Sequence, residues 1–263
     1  MTGDAAAPPP RPAPAPPRDH THHRARTLRA VHTVVGRKIT EIDAAWLRDL
    51  AARHARTVID LGTGDGRAVT EEAAADPDAL VIGIDADAAT MAERSRRAAA
   101  APAKGGRPNA VFVASGVELL PESLDGIADR VTVRFPWGSL LRGAIGIDPA
   151  AAASIARLVG PNGTLELALS IIEHDRLGAR AAGAAATALD RLGRPFDGSD
   201  IERIRATFGH LGLRLVGVEP LPREALKTYG SSWARRLRVG LDRPAWRVRL
   251  ERERMPLDRG LAT

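Results

Sequence analysis

Val58-Ile59-Asp60-Leu61-Gly62-Thr63-Gly64-Asp65-Gly66, followed by Val81-Ile82-Gly83-Ile84-Asp85, is the stretch whose reading decides the fold. Each run is short, apolar and β-branched, each closes on a carboxylate, and a helical stretch separates the two. That pattern predicts a β-α-β unit with a nucleotide-sized ligand at its crest. Glycines at alternate positions 62, 64 and 66 let the backbone turn tightly and lie against that ligand, where a side chain would block it. Asp85, at the end of the second strand, is placed to accept hydrogen bonds from two ribose hydroxyls. A dinucleotide fingerprint puts its third glycine three residues after the second, a spacing that Gly66 does not meet. The acid before the glycines, Asp60, suits instead a ligand that carries an ammonium group.

S-adenosylmethionine is such a ligand, which favours an α/β class I S-adenosylmethionine-dependent methyltransferase fold over a nicotinamide enzyme. The expected architecture is a seven-stranded, mostly parallel Rossmann-like sheet, covered on both faces, with an N-terminal hairpin. The chain has 263 residues, enough for one sizeable core. It has no cysteine, which excludes a disulfide framework, a thiolate zinc site and a cysteine nucleophile. No apolar run has the length of a membrane span and no signal-peptide core opens the chain, so a cytoplasmic protein without membrane contacts is expected.

Outward from the decisive stretch, the first 17 positions hold seven prolines, and residues 1–28 read as a disordered tail with almost nothing apolar to bury. His20, His22 and His23 belong to that solvated tail, and no metal site is expected. Val31 to Thr40 alternates around Gly36 like a hairpin, and Asp43 caps a helix carrying Trp46, Leu47 and Leu50 on one face. Helices are expected after the glycine loop to Ala75, from Asp87 to Ala101, from Pro149 to Val159 and from Asp200 to Leu211. Strands are expected at Ala110 to Ala114, Arg130 to Arg134, Thr164 to Leu169, Leu213 to Glu219 and Trp246 to Leu250. The single domain then spans 29–255, with a tail at 256–263. Lys104-Gly105-Gly106-Arg107-Pro108 reads as a flexible basic loop, and an Ala-rich insert lies near Gly178 to Ala188.

Arg and Lys total 38 against 32 Asp and Glu, a net charge of +6. Leu221 to Arg254 holds ten basic against four acidic residues, an excess equal to that of the whole chain. Such a concentration points to a polyanionic partner. The long segment Leu221 to Pro244 contains Ser231-Ser232-Trp233-Ala234-Arg235-Arg236-Leu237-Arg238, an aromatic interleaved with arginines, as in surfaces that stack bases and hold phosphates. Beyond the strand ending at Arg134 comes Phe135-Pro136-Trp137-Gly138. Trp137 taken alone fits a core position slightly better; beside Trp233, the two could sandwich one extruded base. Trp46 and Trp246, inside regular elements, are expected in the core. Glu118 could accept from the exocyclic amine of an adenine or be a solvated loop acid.

The motifs Asp-Leu-Gly-Thr-Gly-Asp-Gly, Asp85-Ala-Asp87, Ala100-Ala-Pro-Ala-Lys104-Gly-Gly-Arg-Pro-Asn109, Pro136-Trp-Gly-Ser-Leu-Leu-Arg-Gly143 and Ser232-Trp-x-Arg-Arg-Leu237 together resemble the Kam-type aminoglycoside-resistance 16S ribosomal RNA methyltransferases. The resemblance runs in order from Val31 to Arg254. It implies methylation of ring nitrogen 1 of the decoding-site adenine in helix 44, in the assembled 30S subunit. It also implies that Asp60, Gly62, Asp85 and Glu118 bind S-adenosylmethionine, and the expected cofactor set adds Thr63, Gly64, Ala86 and Pro136. Trp137 and Trp233 are expected to stack the target base with Ser231 or Ser232 nearby, while Lys104, Arg107, Arg142, Arg235, Arg236 and Arg238 contact RNA. A monomer is expected. The alternatives are a transfer-RNA guanine methyltransferase of the same fold, whose usual Pro-Asp-Pro-Trp turn is absent here, and a non-catalytic RNA-binding module.

Overall fold

Val58 and Val81 face one side of their sheet while Ile59, Leu61, Leu80, Ile82 and Ile84 face the other, so each strand is apolar on both faces and must be covered on both. The computed structural model describes residues 30–172, 194–222, 224–225 and 243–252. Its strands are β1 (Val31–Val35), β2 (Lys38–Ile42), β3 (Arg56–Leu61), β4 (Ala79–Asp85), β5 (Ala110–Ala114), β6 (Ala128–Arg134), β7 (Val159–Leu169), β8 (Leu213–Pro220) and β9 (Trp246–Arg252). Its helices are α1 (Ala44–Ala51), α2 (Arg67–Ala75), α3 (Ala88–Ala98), α4 (Gly138–Ala144), α5 (Pro149–Ala156) and α6 (Gly198–His210).

All nine strands form one sheet in the order β2-β1-β5-β4-β3-β6-β7-β9-β8. The central strands β5-β4-β3-β6-β7 are parallel, and antiparallel pairs flank them on each side. The expected seven strands are thus β3 to β9, and the hairpin extends their sheet through the pairing of Thr33 with Val113. Its turn is fastened to α3, since the Gly36 N–H donates to Ser95 Oγ at 3.0 Å. After β3 the chain winds outward through β4 and β5, then returns to place β6 on the other side of β3. That reversal opens a crevice at the carboxyl ends of β3 and β6, where open α/β sheets bind ligands.

Asp43 and Asp87 start α1 and α3 as expected, accepting the N–H groups of Ala45 and Ala89. Three readings are corrected. Trp46 is 45% exposed, because Leu47 and Leu50 already occupy the inward face of α1 and a neighbouring helical position points away from it. The helix expected to run to Val159 ends at Ala156, and the strand expected from Thr164 already begins at Val159, so β7 takes in Gly160 to Gly163. The basic loop after α3 is tightly closed: Lys104 N–H donates to Ala101 O, Gly105 to Pro102 O, Gly106 to Ala101 O and Arg107 to Ala98 O. Trp246 is half-buried beside Phe196, their rings 6.2 Å apart. The N-terminal tail, the Ala-rich insert and residues 256–263 lie outside the described residues.

Candidate active site

Asp60 pairs with Gly83 across β3 and β4, and the missing side chain at Gly83 makes room for the glycine loop to fold back over the strands. A Cβ there would stand 2.6 Å from Val69 of α2 and 3.1 Å from the Thr63 methyl. The space lets Thr63 Oγ1 reach Asp60 Oδ2 at 2.8 Å and fixes the loop. Gly62, Gly64 and Gly66 all have positive φ, at 77°, 59° and 71°. A Cβ on Gly62 would lie 2.5 Å from Leu140, whereas the same position on Gly64 opens onto empty space.

Above this loop lies a cavity of about 390 Å³, within the usual range of small-ligand sites. Its floor is Gly62, Thr63 and Gly64; Asp85 and Ala86 come from the end of β4; Gly116, Val117 and Glu118 follow β5; and Arg134, Pro136, Trp137 and Leu140 close the far side. Seven of the eight expected cofactor residues therefore meet around one space. Asp85 accepts the Gly64 N–H through Oδ2 at 2.8 Å and the Asp87 N–H through Oδ1 at 2.9 Å. Burial pushes its carboxyl above the ordinary range, and these two N–H groups pull partly the other way. Each oxygen keeps a lone pair, as two ribose hydroxyls require. Pro136, Val117 and Leu140 supply apolar wall. The donor set and the open cradle over Gly64 fit S-adenosylmethionine.

The eighth residue, Asp60, does not line the cavity. It is 3% exposed beneath it, and both oxygens are engaged: Oδ1 by Arg134 Nη1 at 2.7 Å and Thr132 Oγ1 at 2.8 Å, Oδ2 by Thr63. The reading of Asp60 as the direct acceptor of an ammonium group is corrected accordingly, and Arg134, which faces the cavity, is the residue that sequence reasoning passed over. The two residues lie 74 apart in sequence and meet only through the pairing of β3 with β6, so no local pattern points to the contact.

Trp137 is 77% exposed at the rim, so it is not a core residue. Phe135, with φ of 49°, turns the chain sharply just before it. Lys104 is exposed and Arg107 half-buried, its guanidinium donating to Gly105 O and Gly106 O. Arg142 is 4% exposed inside α4 and cannot reach a phosphate; its place among the RNA contacts is withdrawn. Trp233, Ser231, Ser232, Arg235, Arg236 and Arg238 lie outside the described residues.

A sheet reversing at β3, a glycine loop under an open cavity and a carboxylate at the next strand end define a class I S-adenosylmethionine-dependent methyltransferase. The family described as NpmA, 16S rRNA (adenine(1408)-N(1))-methyltransferase, matches residues 32–252. A 16S rRNA (adenine(1408)-N(1))-methyltransferase of Streptoalloteichus tenebrarius is 32% identical over 210 residues, covering 80% of this chain and 93% of that one. One from Escherichia coli is 31% identical over 214 residues, covering 81% and 94%. Among solved structures, a variant of the Catenulisporales acidiphilia 16S rRNA (adenine(1408)-N(1))-methyltransferase with cosubstrate SAM shares 31% identity at a TM-score of 0.74, covering 87% of this chain and 99% of that chain. The 16S rRNA methyltransferase KamB shares 30% identity at 0.72, covering 84% and 99%. The chain belongs to the NpmA family of 16S rRNA (adenine(1408)-N(1))-methyltransferases.

Proposed function

We propose that the protein methylates ring nitrogen 1 of the decoding-site adenine in helix 44 of 16S rRNA, acting on the assembled 30S subunit and conferring aminoglycoside resistance. The observation that carries this reading is the Trp137 indole, 77% exposed at the rim of the cofactor cavity. An exposed indole beside the cofactor cavity offers a free aromatic face on which a base can stack. A flipped nucleobase is a planar partner of the right size.

Bound S-adenosylmethionine supplies an electrophilic methyl on a sulfonium sulfur, so transfer breaks one C–S bond, forms one C–N bond and moves the positive charge onto the base. The protein's share is placement. Asp85 holds the ribose, the loop from Gly62 to Gly64 lies against the cofactor, and Trp137 with Trp233 holds the adenine edge-on. Nitrogen 1 of neutral adenine already carries an in-plane lone pair, so no general base has to act first. Alignment of this kind can lower a barrier by about 7–11 kcal/mol. Lys104, Arg107 and the arginines at 235, 236 and 238 would position the subunit through phosphates, which fix register without specifying sequence. The same reading takes the protein as a cytoplasmic monomer with one domain over 29–255.

Primer extension on 16S rRNA from small subunits treated with protein and S-adenosylmethionine tests it. Reverse transcriptase should stop one nucleotide before the decoding-site adenine, and expressing cells should resist kanamycin-class drugs and apramycin. A stop elsewhere, equal methylation of free 16S RNA, or modification of a transfer-RNA guanine would overturn it.

A further inference from the structure

Asp60 and Arg134 form an ion pair in which only one member faces the cavity. Asp60 is sealed beneath, while the Arg134 side chain, 15% exposed, lines the space beside Thr63 and Pro136. Asp60 takes one of the five guanidinium N–H donors, through Nη1. Glu72 stands 3.8 Å from Nη2, too far for a hydrogen bond but close enough to hold the group in place. Glu72 is itself bound by Arg130. The cluster of Arg130, Arg134, Asp60 and Glu72 is thus neutral as a whole, and its cavity-facing surface is cationic.

We propose that Arg134 recognises the carboxylate of the cofactor's amino-acid end, with Asp60 and Glu72 acting behind it to aim the guanidinium. This rests on the S-adenosylmethionine reading above. A zwitterionic ligand end leaves the neutral cluster neutral, whereas a ligand end bearing only an ammonium would bring a second cation against Arg134. Asp60, read from sequence as the partner of the ammonium, acts one layer back. The planar fork of Arg suits a carboxylate bidentately, which a lysine at this position would not reproduce.

Calorimetry with three ligands tests the assignment without any turnover. S-adenosylmethionine carries the carboxylate, decarboxylated S-adenosylmethionine keeps the ammonium and sulfonium, and 5′-methylthioadenosine lacks the amino-acid end. The wild-type protein should bind S-adenosylmethionine about tenfold or more above the decarboxylated compound, the range expected for hydrogen bonds to a charged group. In Arg134→Gln that preference should fall to within about threefold while 5′-methylthioadenosine affinity holds, and Arg134→Lys should keep part of it. Two results would overturn the assignment: a wild-type protein that does not discriminate, or an Arg134→Gln protein that still does. Proportional loss of all three ligands in Arg134→Gln would make Arg134 a structural residue instead. Because that variant deprives Asp60 of a partner, its melting temperature is measured alongside; if it does not fold, the wild-type ligand series decides. A wild-type protein that binds none of the three would overturn the cofactor reading itself.

Discussion

Replacing Trp137 by Ala separates the platform reading from a structural one, because the structure fixes how little the fold should notice. With 77% of the residue exposed, about a quarter of its surface is packed against protein. For an aromatic of about 250 Å² that is about 60 Å², or about 1.5 kcal/mol at 25 cal/mol per Å², and this is an upper value because the unfolded chain also buries some surface. A core aromatic truncated to Ala costs about 3–5 kcal/mol. Loss of a base-stacking face costs about 1–3 kcal/mol, which appears as about a 5- to 150-fold fall in kcat/KM on small subunits. The assay is a primer-extension time course, with thermal unfolding and cofactor calorimetry on the same preparation. Trp137→Ala should lose methylation, unfold within a few degrees of wild type and bind S-adenosylmethionine nearly as well. Trp137→Phe should recover most of the rate, since a phenyl face still stacks. A destabilisation of core size, or a loss of cofactor affinity as large as the loss of rate, would refute the platform.

Asp85→Ala should weaken S-adenosylmethionine binding by about 1–3 kcal/mol in calorimetry, the cost of leaving polar partners unpaired. Because burial raises the Asp85 carboxyl above its unfolded value, the folded state holds the extra proton: this group's contribution to stability is present at low pH and is lost as pH rises from the ordinary carboxylate range through the raised value. Cofactor affinity should run the opposite way, falling as pH drops through the same window, and Asp85→Asn should flatten both profiles in denaturant melts and calorimetry. Gly66→Ala should lower unfolding free energy by about 2 kcal/mol or more in denaturant melts, since φ is 71° and a Cβ would run into the Phe112 ring. Arg142→Ala should lower the melting temperature while RNA affinity per folded molecule stays unchanged, because its guanidinium is buried in α4.

What the chain disclosed before its structure followed from chemistry local to a few residues. Alternating glycines and strand-end acids are short-range signals, and they located the cavity from Gly62 to Glu118. Burial is a property of three-dimensional packing, and there the reading failed in both directions. Trp46 lies inside a regular element, which suggests a core position, yet one helical step from Leu47 rotates it outward. Arg142 counts among the basic residues expected to contact RNA, yet α4 turns it inward. The pairing of Arg134 with Asp60 is non-local, joining residues 74 apart in sequence through the β3 and β6 register, and no periodicity announces it. Asn109 is a similar case: it belonged to a family-like motif, and its side-chain amide proves to brace the carbonyls of Ala73, Asp76 and Ala79, a structural task.

Phe135 explains why the tryptophan platform stands where it does. A bulky residue at φ of 49° costs about 1–3 kcal/mol and persists only where its surroundings impose it. The Phe135 N–H is held by Ala168 O at 2.7 Å, and its ring is buried with Ala168, Leu221 and Ala245. Strand β6 therefore cannot run on in line; the chain is turned at Phe135, and Pro136 and Trp137 are carried over the cavity before α4 begins at Gly138. The same apolar cluster gathers both flanks of the segment that contains Trp233. Leu221 N–H donates to Ala245 O at 2.7 Å, Ser170 Oγ to Pro244 O at 2.9 Å and Arg243 Nη2 to Ser170 O at 2.9 Å. The stem of the basic segment and the loop of Trp137 thus share one anchor. Strain at a single buried phenylalanine is offset by the packing that also pins the stem, which is how a rigid sheet can hold an exposed aromatic face in a fixed place with few contacts of its own.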